Sequence, residues 1–269
     1  MVILFAVLAC SGPSDTTRVR DVQIIHVGAQ PAELNPGEAG VLTVTVADPS
    51  GQGVEAMAWP CTDLGEGCLE DPGAAAGWAQ GVELEAEDGV VEVLASPTWE
   101  GVLASGEELP FEPFQGTWFL ACRTGLCPVI GQALAGDDAA LDFLRDPTAG
   151  MVDLPLDGAS LVRRTVRVSQ RTPDERNQNP SIERLGDEAL QLSTQGEVGL
   201  SFTVLDESEG TLATDVFTSL GTLGPARVEG EEPEFTWYAG EEAGQGRIYA
   251  VVRDEEGGSA LWRAEVVVE

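Results

Sequence analysis

The stretch Leu42-Thr-Val-Thr-Val-Ala-Asp48-Pro-Ser-Gly51 alternates aliphatic and threonine side chains and then enters turn-forming residues. Successive side chains of a β-strand point to opposite faces, so the aliphatic residues would lie on one face and the threonines on the other. Strands that are buried on one face only are typical of antiparallel sheets. The stretch therefore predicts a half-buried antiparallel strand that ends in a tight turn.

The same pattern recurs in the second half of the chain as Leu200-Ser-Phe-Thr-Val-Leu-Asp206, shifted by 200 − 42 = 158 residues. Two more pairs of segments match, residues 116–123 with 246–253 and residues 166–168 with 266–268. The chain thus contains two copies of one β unit, joined near the polar stretch from residue 171 to 179. We predict an all-β fold with two β-sandwich domains in tandem, residues 21–170 and 171–269.

The first copy is longer than the second because it carries insertions. One insertion contains Asp88-Gly89 between alternating runs, a dipeptide that is a strong signal for the turn of a β-hairpin. Pairing outward from this turn would place Leu84 opposite Val93 and Glu85 opposite Glu92. A second insertion, residues 137–144, begins with an aspartate that can cap a helix and precedes a proline, which predicts a short helix.

The last strands of the second copy carry a family resemblance. Ile248-Tyr-Ala-Val-Val-Arg-Asp254-Glu-Glu-Gly-Gly258 and Ala264-Glu-Val-Val-Val268 resemble the final two strands of immunoglobulin-like and cadherin-like (PKD-like) modules in bacterial envelope lipoproteins. The resemblance covers residues 21–269 and implies immunoglobulin-like sandwiches. It supports the fold more than any particular function.

The charge of the chain excludes several kinds of partner. It has 46 acidic residues against 14 basic ones, all arginine, for a net charge of −32. Nucleic acid and anionic lipid both require a basic surface, so neither is expected to bind the folded protein by charge. The absence of lysine removes Schiff-base chemistry, and the single histidine, His26, lies in an apolar run that favours a packed or edge-strand position.

The amino terminus has the features of an export signal. Residues 1–9 are apolar but too few to span a bilayer as a helix, which is typical of the core of a signal peptide. Val7-Leu8-Ala9-Cys10 resembles a bacterial lipobox, which implies cleavage before Cys10, lipidation of its thiol and a tether over residues 10–20. The alternative is an ordinary free thiol. Ser11 after the cysteine implies sorting to the outer membrane or cell surface.

The other four cysteines are Cys61, Cys68, Cys122 and Cys127. An even set in an exported protein predicts two disulfides with three possible connectivities. In an immunoglobulin-like alignment Cys61 and Cys122 fall at opposite ends of neighbouring strands, so the local pairs 61–68 and 122–127 are favoured. A zinc site is the competing interpretation, although the spacing lacks the usual two-residue gap.

Four tryptophans of the first copy divide into two groups. Trp59 and Trp118 lie on predicted strands and are expected in the core. Trp78 and Trp99 lie in glycine- and proline-rich sequence and are predicted as exposed contacts for a carbohydrate or protein ligand.

Aspartates mark the ends of several predicted strands. Asp48, Asp206 and Asp254 stand where cadherin-like modules bind calcium, so calcium is a possible cofactor. The usual Asp-x-Asp-x-Asp spacing is missing, and turn-forming aspartate is the favoured interpretation. No other cofactor is expected.

The sequence contains none of the common catalytic motifs, and we expect no enzymatic activity. The predicted function is that of a lipid-anchored envelope protein, acting as a binding, adhesion or structural module. Its partners would be the membrane, through the anchor, and an envelope protein or polysaccharide. The alternative is a periplasmic or surface carbohydrate-active enzyme or hydrolase with an acidic site in the first domain.

Overall fold

The computed structural model describes residues 17–61, 79–106, 109, 112–134, 158–186, 189–207 and 210–269. Strands make up about 55% of it and helices about 7%, which confirms the all-β prediction. Each half of the chain folds into its own β-sandwich, here called the first and the second sandwich.

The first sandwich is built from strands β1–β9 and two helices. Its strands are β1 (Gln23–Gln30), β2 (Glu33–Leu34), β3 (Ala39–Ala47), β4 (Val54–Pro60), β5 (Gln80–Val82), β6 (Leu84–Glu85), β7 (Asp88–Leu94), β8 (Phe114–Arg123) and β9 (Ala159–Val168). The helices are α1 (Trp99–Ala104) and α2 (Cys127–Leu134). Within the described residues, a four-stranded sheet β1-β3-β7-β6 faces a five-stranded sheet β2-β9-β8-β4-β5.

The second sandwich repeats this arrangement with strands β10–β18. They are β10 (Ser181–Arg184), β11 (Leu190–Leu192), β12 (Glu197–Leu205), β13 (Ala213–Thr218), β14 (Thr222–Gly224), β15 (Arg227–Glu229), β16 (Glu234–Tyr238), β17 (Gly244–Arg253) and β18 (Ser259–Val268). Over the described part of this half, the sheets run β10-β12-β16-β14 and β11-β18-β17-β13-β15.

The strand order is immunoglobulin-like in both sandwiches. A short strand leaves the first sheet and runs parallel to the last strand of the opposite sheet, β2 beside β9 and β11 beside β18. The remaining neighbours are antiparallel. The segments that match in sequence occupy equivalent strands: β3 corresponds to β12, β8 to β17 and β9 to β18.

Alternation along these strands fills the two cores. On β3, Leu42 and Val44 are at most 1% exposed, and Leu200 and Phe202 on β12 are fully buried. The core of the second sandwich closes around Trp237, whose indole nitrogen donates to the Leu220 carbonyl oxygen at 2.9 Å. Each sandwich has a separate apolar core between its sheets.

The predicted hairpin exists, but its register is wrong. Leu84 pairs with Gly89 and Glu85 with Asp88, so the turn lies at Ala86 and Glu87, two residues before the predicted position. Ala86 has a φ of +59°, a left-handed conformation that the turn requires. The strand before it crosses to the opposite sheet, where Val82 pairs with Ala56. The predicted pairing failed because burial in two different sheets outweighs the Asp-Gly turn preference.

A second apolar layer covers the outer face of the five-stranded sheet of the first sandwich. Helix α2 packs there against Trp59, which is fully buried, with Ile130 and Leu134 on its inner side. A disulfide joins Cys122 at the end of β8 to Cys127 at the start of α2. This helix is not the one predicted at residues 137–144, which lie outside the described residues.

Candidate functional site

The two sandwiches pack side by side along a seam. The outer face of β13, β17 and β18 in the second sandwich meets β1 and the end of β3 in the first. Ile25 and Ala47 of the first sandwich and Tyr249 and Val251 of the second form an apolar cluster with Val19, and each is at most 3% exposed. Burial of this cluster stabilises the contact between sandwiches, because apolar surface is removed from water on both sides.

His26 lies in this seam on the edge strand β1. It is 8% exposed, and its Nε2 lies 3.1 Å from the Ser259 hydroxyl of β18. Burial, and then the nearby guanidinium groups of Arg164 and Arg253, lower the pKa of His26 to about 3. The imidazole of His26 is therefore neutral when the two sandwiches are in contact. Gly28 allows this position, because a β-carbon there would lie 2.8 Å from the imidazole ring.

Two consecutive carboxylates at the turn between β6 and β7 also join the sandwiches. Glu87 accepts from the Tyr249 hydroxyl at 3.0 Å and pairs with Arg247 at 2.5 Å. The hydrogen bond to Glu87 raises the pKa of Arg247, and burial raises the pKa of Tyr249. Further along, Asp88 accepts from both terminal nitrogens of Arg263, at 3.1 and 2.8 Å. The seam is thus matched in charge as well as in apolar surface.

The segment of residues 171–179 crosses between the sandwiches and binds both. Asn177 donates its backbone N–H to Glu33 at 3.1 Å and its side-chain amide to Asp254 at 3.0 Å. Asn179 donates to the Ala29 carbonyl oxygen at 2.7 Å and accepts from the Ser259 N–H at 3.0 Å. The segment predicted as a polar linker is therefore a polar bridge with partners on each side.

A cleft opens above this bridge, with a volume of about 930 Å³. We call it the junction cleft. Its lining residues are Arg171, Pro173, Asp174, Glu175, Arg176, Asn177, Gln178, Asn179, Ser181, Leu205, Asp206, Glu207 and Glu256. The lining is polar throughout except for Pro173 and Leu205, and it is contributed by the bridge, by the end of β12 and by the turn after β17.

The junction cleft has an excess of negative charge. Five carboxylates line it against the two guanidinium groups of Arg171 and Arg176. Both arginines are paired: Arg176 lies 2.6 Å from Glu38, and Arg171 lies 3.4 Å from Glu256 and 3.6 Å from Glu33. Cations and hydrogen-bond donors are therefore the groups that this cleft suits best.

One buried acceptor lies next to the cleft. Asn177 is 5% exposed; its Oδ1 is shielded from solvent and has no hydrogen-bond partner among the described residues, while its amide nitrogen donates to Asp254. A buried acceptor without a donor costs free energy, roughly 1–3 kcal/mol.

The structure corrects one predicted contact and leaves others outside the described residues. Trp99 is 3% exposed and packs in the main core of the first sandwich, so it is not a surface contact as predicted. It is buried because α1 folds its aromatic ring inward. Cys10, Cys68 and Trp78 lie outside the described residues. Cys61 is buried and disulfide-bonded.

The three aspartates proposed for calcium are not together. Asp48 closes its own turn by accepting from the Ser50 N–H at 3.0 Å and the Gly53 N–H at 3.2 Å. Asp254 accepts from Gly258 N–H at 2.7 Å and from Asn177, while Asp206 lines the junction cleft. Over the described ranges, no group of three or more His, Cys, Asp or Glu side chains is arranged to hold a metal ion.

Sequence reasoning missed the residues that build the cleft. Asn177, Asn179 and Arg176 stood in a segment interpreted only as a linker. Their signal was present as an unusual density of amide side chains directly before Pro180, in a stretch without glycine. Trp118, predicted in the core, is half-buried, and the Arg163 guanidinium lies 6.0 Å from its ring centre.

No helix in the described part of the chain is long and apolar enough to cross a bilayer. No protein-family model matches the chain, and no curated protein matches it.

Solved structures give distant likenesses. The D0–D1 domains of intimin share 10% identity over 91% of this chain and 98% of theirs, with a TM-score of 0.26. The tandem immunoglobulin repeats of Dlar share 9% over 93% and 96%, with a TM-score of 0.30. The alpha-2-macroglobulin of E. coli shares 12% over 92% of this chain, which spans only 17% of that protein, with a TM-score of 0.27. At these scores the likenesses assign no function.

Proposed function

We propose that this chain is a lipid-anchored binding module of a bacterial envelope, and that the junction cleft takes a cationic segment of an envelope protein. The cleft carries the proposal: five carboxylates and two internally paired arginines line one cavity of about 930 Å³. The two domains, residues 21–170 and 171–269, would act as one scaffold, because the bridge and the seam join them.

A cationic partner is favoured over a neutral polysaccharide by the charge of the cleft. Charge-assisted hydrogen bonds between a carboxylate and an ammonium or guanidinium group contribute about 1.5–3 kcal/mol each. The whole chain, at −32, would also attract a basic partner from a distance and speed its association.

Titration calorimetry with a short lysine- and arginine-rich peptide tests this proposal. The double variant Asp206→Asn/Glu207→Gln removes two cleft carboxylates, and we expect it to bind about tenfold more weakly, a loss near 1.4 kcal/mol. Any cation is attracted to an acidic protein, so the matched control is Glu83→Gln/Glu85→Gln, which removes two exposed carboxylates of the first sandwich. It should bind within about twofold of the parent, because distant surface charges are screened by salt.

Equal losses in the two variants would mean that the peptide binds by net charge alone, and the cleft proposal would be wrong. Binding of a neutral oligosaccharide that the cleft variant abolishes would point to a polysaccharide partner instead.

The lipid anchor needs its own test. Cells that express the full chain are fed a fatty-acid analogue, and we expect label on the parent but none on Cys10→Ala. Equal labelling of both would overturn lipidation at Cys10.

A further inference from the structure

Residues 17–19 are docked on the second sandwich before the chain enters the first. The Thr17 hydroxyl donates to the Leu223 carbonyl oxygen at 3.2 Å and accepts from the Leu223 N–H at 3.0 Å. The Val19 N–H donates to the Thr218 carbonyl oxygen at 2.8 Å, and Arg18 pairs with Glu242 at 2.7 Å. Thr17 and Val19 are each 1% exposed, so this segment is part of the folded structure.

The docked segment and the junction cleft lie at opposite ends of the second sandwich. Leu223 lies level with Val198 near the start of β12, and Thr218 lies opposite Ile248 in the first half of β17; we call this end the tether pole. The cleft residues Leu205 and Glu256 stand where the same two strands end, which we call the cleft pole. From Val198, which is level with Leu223, to Leu205 there are seven residue steps along β12, about 23 Å, and this separates the poles.

The chain between the anchor and the docked segment is short. From Cys10 to Thr17 there are seven residue steps, which reach at most about 25 Å. If docking were lost, the first firm attachment would be Asp21, whose carboxylate binds Arg123 at 2.7 Å, and the reach would grow to about 40 Å. Docking therefore holds the tether pole nearer to the anchor than the free chain would.

We propose that residues 17–19 act as an orienting clamp that presents the junction cleft away from the bilayer. The inference rests on the proposed lipid anchor at Cys10. Repulsion between the acidic protein and anionic headgroups acts in the same direction, because it keeps the rest of the molecule from lying down on the surface.

Energy transfer to a headgroup-labelled lipid tests the orientation. Protein that begins at Cys10 is coupled through that thiol to a maleimide phospholipid in phosphatidylcholine vesicles containing some phosphatidylglycerol. A dye on a non-natural residue replaces either Glu241, exposed at the tether pole, or Glu255, exposed at the cleft pole. Transfer from position 241 should be several times that from position 255.

The clamp is then removed with Thr17→Val/Arg18→Glu, which breaks the hydrogen bonds to Leu223 and reverses the charge facing Glu242, and the difference between the two reporters should shrink severalfold. Arg18→Lys keeps the cation that pairs with Glu242 and serves as the matched control, with the parent difference retained. If the double variant does not fold, a twelve-residue Gly-Ser insertion after Ser11 should produce the same loss in the folded parent. Equal transfer from both positions in the parent, or more from position 255, would overturn the clamp.

Chemical coupling separates this outcome from lipidation in the cell. If the chemically coupled protein is oriented on vesicles but the protein in cells takes up no fatty-acid label, the lipid anchor is refuted and the orienting clamp stands. If the protein in cells is labelled but the coupled protein shows no orientation on vesicles, the anchor stands and the clamp is refuted.

Discussion

Asp254 links the turn between β17 and β18 to the bridge through one carboxylate. Its Oδ1 accepts from the Gly258 N–H at 2.7 Å, which closes the turn between β17 and β18, and its Oδ2 holds Asn177 of the bridge at 3.0 Å. Gly258 is required here, since a β-carbon would overlap this carboxylate and lie 2.7 Å from the Gln178 carbonyl oxygen. The turn-forming role expected for Asp254 thus extends to the junction between sandwiches.

Replacement of this carboxylate should be costly. Asp254→Ala leaves the Asn177 amide and the Gly258 N–H without an acceptor, and we expect a loss of about 2–4 kcal/mol in the free energy of unfolding. Urea unfolding followed by tryptophan fluorescence measures it. Glu255→Ala, one residue along and exposed, should change stability by less than about 0.5 kcal/mol. Similar losses for the two variants would contradict the role of Asp254.

His26 makes the seam sensitive to acid. Its folded pKa of about 3 is below the value near 6.5 of an unfolded histidine, so the unfolded chain takes up the proton first. The contribution of neutral His26 is complete above about pH 6.5 and falls by about 1.4 kcal/mol per pH unit as the pH drops toward 3.

Urea unfolding from pH 7 to pH 4.5 should therefore show a steeper loss for the parent than for His26→Gln, whose side chain does not titrate. Carboxylates titrate in both proteins, so the difference between them isolates the histidine. If the free energy of unfolding falls equally with pH in the two proteins, protonation of His26 does not destabilise the fold.

At the scale of elements, alternation predicted well where one face of a strand packs on one core. The alternating segments that begin at Leu42 and Leu200 form β3 and β12, as predicted. The matching segments 116–123 and 246–253 lie in β8 and β17, which are equivalent strands of the two sandwiches. The predicted register of the hairpin at Asp88 is wrong because a local turn preference carries no information about Val82, which pairs with a strand of the other sheet. The predicted exposure of Trp99 is wrong for a similar reason, because its loop-like sequence forms helix α1, which packs over the core.

The disulfide at Cys122 and Cys127 should stabilise α2 on its sheet. The two residues are five apart in sequence, and closing so short a loop contributes about 2 kcal/mol. Cys122→Ala/Cys127→Ala should lose about that amount in urea unfolding and speed amide exchange in α2 most. Cys10→Ala, which removes a cysteine outside the described residues, is the control and should unfold like the parent. Unchanged amide exchange in α2 would show that its apolar contacts hold the helix on the sheet without the disulfide.

At the scale of the whole molecule, the seam predicts one cooperative unit. An interface that buries apolar clusters couples domains that would otherwise move independently. We expect a single thermal transition for the parent, with equal calorimetric and van't Hoff enthalpies. Ile25→Glu places an unpaired charge in the seam and should divide the transition in two.

Val90→Glu is the control for that experiment, because Val90 is on the same sheet but 61% exposed. It should leave one transition close to the parent midpoint. Two transitions in the parent would show that the sandwiches unfold separately.

The junction cleft marks the limit of what periodicity predicts. It is formed by residues from the bridge, β12 and the turn at Glu256, which lie up to 256 − 171 = 85 positions apart. The local sequence pattern of a single segment does not indicate that the two sandwiches pack side by side. The acidity of the sequence does reappear in the cleft, where five carboxylates are among the lining residues.

The docked segment also determines how the molecule would respond to tension. If Cys10 carries the proposed lipid, a pull on it acts first on Thr17, which is held by two hydrogen bonds to Leu223, and next on Val19, held by one to Thr218. These contacts would break one after another while both sandwiches stay folded. Release of residues 17–20 would lengthen the tether by about 13 Å. The clamp would thus lengthen under a brief mechanical load before that load reaches the strands of either sandwich.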